Sequence, residues 1–168
     1  MMRYTAYALV AAASLVLQVT WLARISVGGA AASPVLILVM AVGLLHGSEE
    51  GAVLGAGVGL LEDIVAGGPL GLGMLSDLCV GFTAGLGQHV IYTRNIWLPA
   101  VGAVVLSVLH AAVWAAAAHL VGLLQAPIAE VARVALLGAC YNGVAAVLIF
   151  RGLRYMDMAL IRDHEESR

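Results

Sequence analysis

Apolar runs of membrane-crossing length, separated by short polar or glycine-proline breaks, set the organisation of this chain. A helix needs about 20 apolar residues to cross a hydrocarbon core roughly 30 Å thick. On that measure six runs predict transmembrane helices, at about residues 5–23, 27–45, 51–66, 70–91, 96–124 and 127–150. Pro34 lies near the start of the second run and Pro127 opens the sixth. The breaks are His46-Gly-Ser-Glu-Glu50, Gly67-Gly68-Pro69 and Tyr92-Thr-Arg-Asn95, with Trp97 at the edge where interfacial tryptophans belong. The first run follows Met-Met-Arg-Tyr and has no prompt small-x-small cleavage site, so it reads as a retained span rather than a signal peptide.

The alternative is five spans, made by fusing the second and third runs. That would place Glu49 and Glu50 inside a helix in lipid. Acids at a helix centre cost about 2.5–3.5 kcal/mol each on insertion scales, so the break is kept. With six spans, both termini share a side with the 46–50 and 92–95 breaks. That side carries Arg3, Arg94, Arg151, Arg154, Arg162 and Arg168, whereas the other carries Arg24 and Arg133. Positive charge prefers the cytoplasmic side, so both termini are expected in the cytoplasm of a multi-pass inner-membrane protein. The chain divides into a membrane domain, residues 1–150, and a juxtamembrane tail, residues 151–168. The tail alternates arginines with apolar residues. It reads as a positive-inside anchor with a frayed polar end, or as a short amphipathic helix on the inner leaflet.

Composition strengthens this reading. Mean hydropathy is +1.01, hydrophobic residues make up 62% and charged residues only 11%, against roughly 25% in soluble domains. There is no lysine and no basic stripe, which argues against nucleic-acid binding. The lipid bilayer is the expected solvent. Cys79 and Cys140 sit in apolar runs and read as small core residues.

Glycines pattern the centre of the chain. Gly51, Gly55 and Gly59 recur every four residues, and Asp63 extends the series. At about 100° per residue the series drifts by only about 40° per step, so it forms one strip. Gly73, Asp77, Gly81 and Gly85 repeat the device in the next run. Small residues every four positions let helices approach closely in lipid. Runs three and four therefore predict a tightly packed hairpin, whose glycine faces would equally serve a partner or a homodimer. Carboxylates near hydrocarbon mark functional or partner-contacting positions. Asp63 reads as a cap on the Gly67-Gly68 turn or a partner contact, and Glu62 as its solvated neighbour. Asp77 is the deepest carboxylate; it reads as hydrogen-bonded to neighbouring hydroxyls such as Ser76 or Thr83, or to ones on other runs, or as a partner contact. His110 and His119 fall on opposite faces of one run, which excludes a shared metal; each reads as hydrogen-bonded within the bundle.

Intramembrane hydrolases are excluded one by one. Glu49-Glu50 lacks the arginine that the prenyl-protease motif needs at position 54, which is Leu54. Gly73-Met-Leu-Ser76-Asp77 does not suit a rhomboid-type serine nucleophile, and Asp63 and Asp77 lack the flanks of the lipoprotein signal peptidases. No catalytic residue, cofactor site or metal site is expected.

The stretch Pro34-Val-Leu-Ile-Leu-Val, the glycine-rich run ending Gly59-Leu-Leu-Glu-Asp63, the turn Gly68-Pro-Leu-Gly71 and the run Leu75-Ser-Asp-Leu-Cys-Val-Gly-Phe-Thr-Ala-Gly85 resemble the rod shape-determining MreD family. Leu17-Gln-Val-Thr also looks like the family's opening helix; the later runs match in hydropathy alone. The resemblance implies an all-α membrane fold similar to the substrate-binding subunits of energy-coupling-factor transporters. It implies a non-enzymatic role in the cell-elongation machinery, with MreC as partner and MreB, RodA and a class B penicillin-binding protein in the wider complex. The positions that carry over are Gly59, Asp63 and Gly71. Gly55, Asp77, Gly81 and Gly85 join them as partner-binding or packing candidates on their strips alone. The rival is a substrate-binding membrane subunit of a vitamin or metal-ion importer. It is disfavoured by the scarcity of aromatics, 6%, and by polar groups that look scattered.

Overall fold

The computed structural model describes residues 2–20, 30–88 and 98–166. It is all-helical, with α1 at Met2–Thr20, α2 at Pro34–His46, α3 at Ser48–Ala66, α4 at Leu72–Leu86, α5 at Leu98–Leu120 and α6 at Ile128–Glu166. The expected starts and breaks at Val27, Arg94 and Trp97 lie outside the described residues.

Helix α2 is the axis of the bundle and touches every other helix. Its start is specified locally. The Ser33 hydroxyl accepts from the Leu36 amide at 3.1 Å, and Pro34 occupies the first turn, where its missing N–H costs nothing. Its side chains are apolar on all sides, the pattern of a helix buried all round. Every side chain from Val35 to Met40 is buried, with Ile37, Leu38 and Met40 among the largest wholly enclosed side chains.

The break between α2 and α3 is sharper than a polar loop. One residue, Gly47, separates them, at φ +101°. Glu49 and Glu50 do not form a loop but open α3, where the positive end of the helix dipole favours acids. At its other end α3 closes with a Schellman motif. Gly67 N–H donates to Ile64 O at 3.3 Å and Gly68 N–H to Asp63 O at 3.2 Å, with Gly67 left-handed at φ +64°.

The tightest pairing in the fold is α3 against α4, antiparallel and backbone to backbone. Four residues along α3 are matched by four back along α4: Gly59 lies on Gly73, Gly55 on Asp77, and Gly51 on Gly81. A methyl at Gly51 would sit 2.5 Å from Gly81 O, and one at Gly59 would sit 2.7 Å from Gly73 O. Gly43 of α2 joins the same point, 2.5 Å from Gly81 O by the same measure, and Gly85 backs onto the Gly47–Ser48 corner. Helices α5 and α6 form a second antiparallel pair, joined to the first through α4 and α2.

Among the described residues two helices, over Ala100–Leu120 and Ile128–Ile149, are long and apolar enough to cross a membrane. Helices α2 and α4, at 13 and 15 residues, are shorter than the expected second and fourth spans. At 1.5 Å per residue they reach about 20 and 22 Å. The one-residue corner at Gly47 ends α2, and residues 67–71 delay the start of α4. Helix α6 runs unbroken through the segment expected as a separate tail, to Glu166.

Because the atoms facing the strip are backbone, they cannot rotate aside. Gly55→Ala is expected to lower stability by about 1–3 kcal/mol, the usual cost of overpacking. Gly57→Ala, on the open side of α3 with nothing within 4 Å, is expected to be neutral or stabilising by up to about 1 kcal/mol. Unfolding of both variants in detergent checks the contrast.

Candidate functional site

The hairpin turn is held by one carboxylate. Asp63 is 8% exposed and lies one turn before the end of α3. Its Oδ2 accepts from the Gly71 amide at 2.8 Å and the Met74 amide at 3.3 Å, and its Oδ1 accepts from Gly73 at 2.9 Å. These are orphan donors of the first turn of α4, a place where negative charge is doubly favoured. Gly71, the residue before α4, has no side chain to cap with, so Asp63 supplies the cap from across the turn. A Cβ at Gly73 would meet Asp63 Oδ1 at 2.5 Å, so this glycine admits the carboxylate. The three residues that carry the resemblance, Gly59, Asp63 and Gly71, thus lie in one corner. Asp63 is committed to α4 and is not displayed to a partner.

Glu62 is not a solvated neighbour. It is half-buried, and its Oε1 accepts from Gln18 Nε2 of α1. The amide begins a chain that the sequence did not reveal. Gln18 Oε1 accepts from the Ser33 hydroxyl at 3.0 Å. The Ser33 amide donates to Asn142 Oδ1 of α6 at 2.7 Å. Asn142 Nδ2 donates to Ser107 Oγ of α5 at 2.9 Å. Asn142 and Ser107 are both buried. The chain therefore ties α3, α1, the start of α2, α6 and α5 in sequence. Its signal in the sequence is a lone amide in each of two apolar runs, Gln18 and Asn142, because such a group in lipid must find a partner. Which partner it finds depends on the tertiary fold.

Asp77 differs from expectation too. Ser76 donates its hydroxyl to Leu72 O at 2.7 Å, and Thr83 is exposed, six residues further round the helix. Asp77 instead faces α5, with Oδ1 3.3 Å from His110 Nε2 and the side chain 1% exposed. The approach is close but poorly aligned, and neither Asp77 oxygen has a hydrogen-bond partner among the described residues. The charges of Glu62 and Asp77 act on one another and on His110.

The other candidates separate by place. Gly55, Gly81 and Gly85 are consumed in helix contacts within the chain. His46 accepts or donates at 2.7 Å to Tyr7 Oη, with the two rings edge to face. His119 lines a cavity of about 390 Å³ between α5 and α6, alongside Gln125 and Ile128. Cys140 is exposed on α6 and Cys79 half-buried, so Cys140 is not the core residue expected of it. Among the described residues no group of three or more His, Cys, Asp or Glu is placed to hold a metal. Comparison with protein-family models, with curated proteins and with solved structures finds no match.

Asp63→Ala removes the acceptor for three amides and is expected to destabilise the protein by about 2 kcal/mol, the upper end for a helix cap. Amide exchange at Gly71, Gly73 and Met74 should accelerate selectively. Asn142→Leu strands the Ser33 amide and is expected to cost about 1–3 kcal/mol. Ser107→Ala, which deletes one member at the end of the chain, should cost less. Unfolding midpoints of the two variants test that order.

Proposed function

We propose that this chain is a non-enzymatic, multi-pass component of the bacterial inner membrane, of MreD type, that binds MreC within the cell-elongation machinery. The observation that carries the reading is the unity of the motif. Gly59, Asp63 and Gly71, the positions that the resemblance carries over, belong to one corner, in which Asp63 accepts from Gly71 and Gly59 packs on Gly73, another of its donors. A membrane setting is supported by helices α5 and α6. Their apolar windows are only 17% and 22% buried, so their oily faces turn outward rather than into a core of their own. On this reading all six helices sit in the bilayer and both termini lie in the cytoplasm. The short α2 and α4 are shielded by neighbours instead of spanning alone.

The docking element in this proposal is the outer surface of the α3–α4 hairpin and its turn. The glycine faces are taken up internally, which leaves the exposed Leu61, Ile64, Val65 and Leu70 to meet a partner helix or its outer base. With MreC would come MreB, RodA and a class B penicillin-binding protein in the wider assembly.

The importer reading gains one specific observation. The intramembrane polar groups are not scattered, since Gln18, Ser33, Asn142 and Ser107 form one chain with Glu62. Those groups bind one another, however, and none lines the α5–α6 cavity, so the elongation reading is preferred.

Co-expression with MreC and pull-down in mild detergent tests the proposal. A stable complex is expected, reduced several-fold by Leu70→Asp, which lies outside the packed core. No complex at equal expression, or co-purification with an ATPase pair instead, would sink it.

A further inference from the structure

The Asp77–His110 contact has no role in the hairpin, the cap or the polar chain. Asp77 occupies a glycine position in its strip, facing the backbone of Gly55, and its side chain leaves that contact toward α5. It is almost wholly buried, and both carboxylate oxygens lack a hydrogen-bond partner among the described residues. Such a group inside a bundle is heavily penalised unless something compensates it. The compensating group at hand is His110, at 3.3 Å. The imidazole is itself 27% exposed, so it connects the enclosed carboxylate with the surroundings of the bundle.

We propose that Asp77 and His110 together bind one proton in the interior of the bundle, where α4 meets α5. A carboxylate with a neutral imidazole carries one net negative charge. With one proton added the pair is neutral, whether the proton rests on the oxygen or on the nitrogen, and apolar surroundings favour that form. The other titratable groups bearing on the pair are Glu62 and Asp63 of α3. Helix α2, packed on α4, offers only His46, at its last residue. Asp63 accepts from three amides, and Glu62, which accepts from Gln18, is the other carboxylate near the pair.

The test reads each partner from the other's side in the full-length protein in lipid nanodiscs. The ring nitrogen resonances of His110 and the carboxyl stretch of Asp77 are titrated with pH. The His110 midpoint is expected to move by more than about one pH unit in Asp77→Asn, and the Asp77 midpoint by a similar amount in His110→Gln, as required of strongly coupled groups. Unmoved midpoints overturn the proposal. So does Glu62→Gln if it shifts His110 as far as Asp77→Asn does, since the proton would then belong to Glu62. If Asp77→Asn fails to fold, the His110→Gln titration decides alone.

Discussion

Everything else in this fold rests on the contact of two helix backbones. Helices α3 and α4 meet through Gly51, Gly55, Gly59, Gly73 and Gly81, at separations where a single methyl would strike a carbonyl. Helices this close present a narrow combined ridge, and α2 fits against it through Gly43. Only then can α2, short and apolar on every side, be enclosed by the other five helices. In a soluble protein the hydrophobic effect would press such helices together. In the lipid setting proposed above that term would be nearly absent, and close packing with polar contacts would replace it.

The polar contacts divide into two kinds. Asp63 and the Gln18–Ser33–Asn142–Ser107 chain are satisfied groups, and each links elements that packing alone would leave free to slide. Asp63 fixes the register of the hairpin, because a shift of one residue would aim its oxygens away from the α4 amides. The chain fixes the two hairpins and α1 relative to the start of α2. Asp77 is of the other kind. It shares a strip with the glycines, yet among the described residues its oxygens have no hydrogen-bond partner, and His110 lies 3.3 Å away.

Much of this was legible in the sequence wherever the signal was periodic. The series Gly51, Gly55, Gly59 and Gly73, Asp77, Gly81, Gly85 foretold a packed hairpin, because a four-residue period fixes a helix face whatever the tertiary structure. The acid break at 46–50 was legible as a break but not as a one-residue corner; the length of a break depends on how close Gly85 lets α4 approach, which is a tertiary fact. The surroundings of Asp77 and Glu62 are tertiary facts for the same reason: the sequence reads the one as meeting hydroxyls and the other as solvated, whereas they face His110 and Gln18, 33 and 44 residues away. Single polar residues such as Asn142 announce that they need a partner without saying which.

The internal use of the glycine faces also constrains what the protein can offer others. A strip that already meets backbone on its partner strip cannot receive a second helix, so small-residue packing is not available as a recognition device on α3 and α4. Asp63 is likewise unavailable, because each of its oxygens is engaged. What the hairpin still presents is shape: a rigid turn at residues 67–71 and the apolar side chains Leu61, Ile64 and Leu70 around it. In hydrocarbon such side chains gain little by leaving lipid for another helix, so an apolar face there confers little selectivity. On the membrane reading proposed above, selectivity would then come from the ends of the hairpin, where water and headgroups restore the cost of mismatched polar groups. The turn, held stiff by the Asp63 cap and the Schellman motif, is the feature of the hairpin best suited to that task.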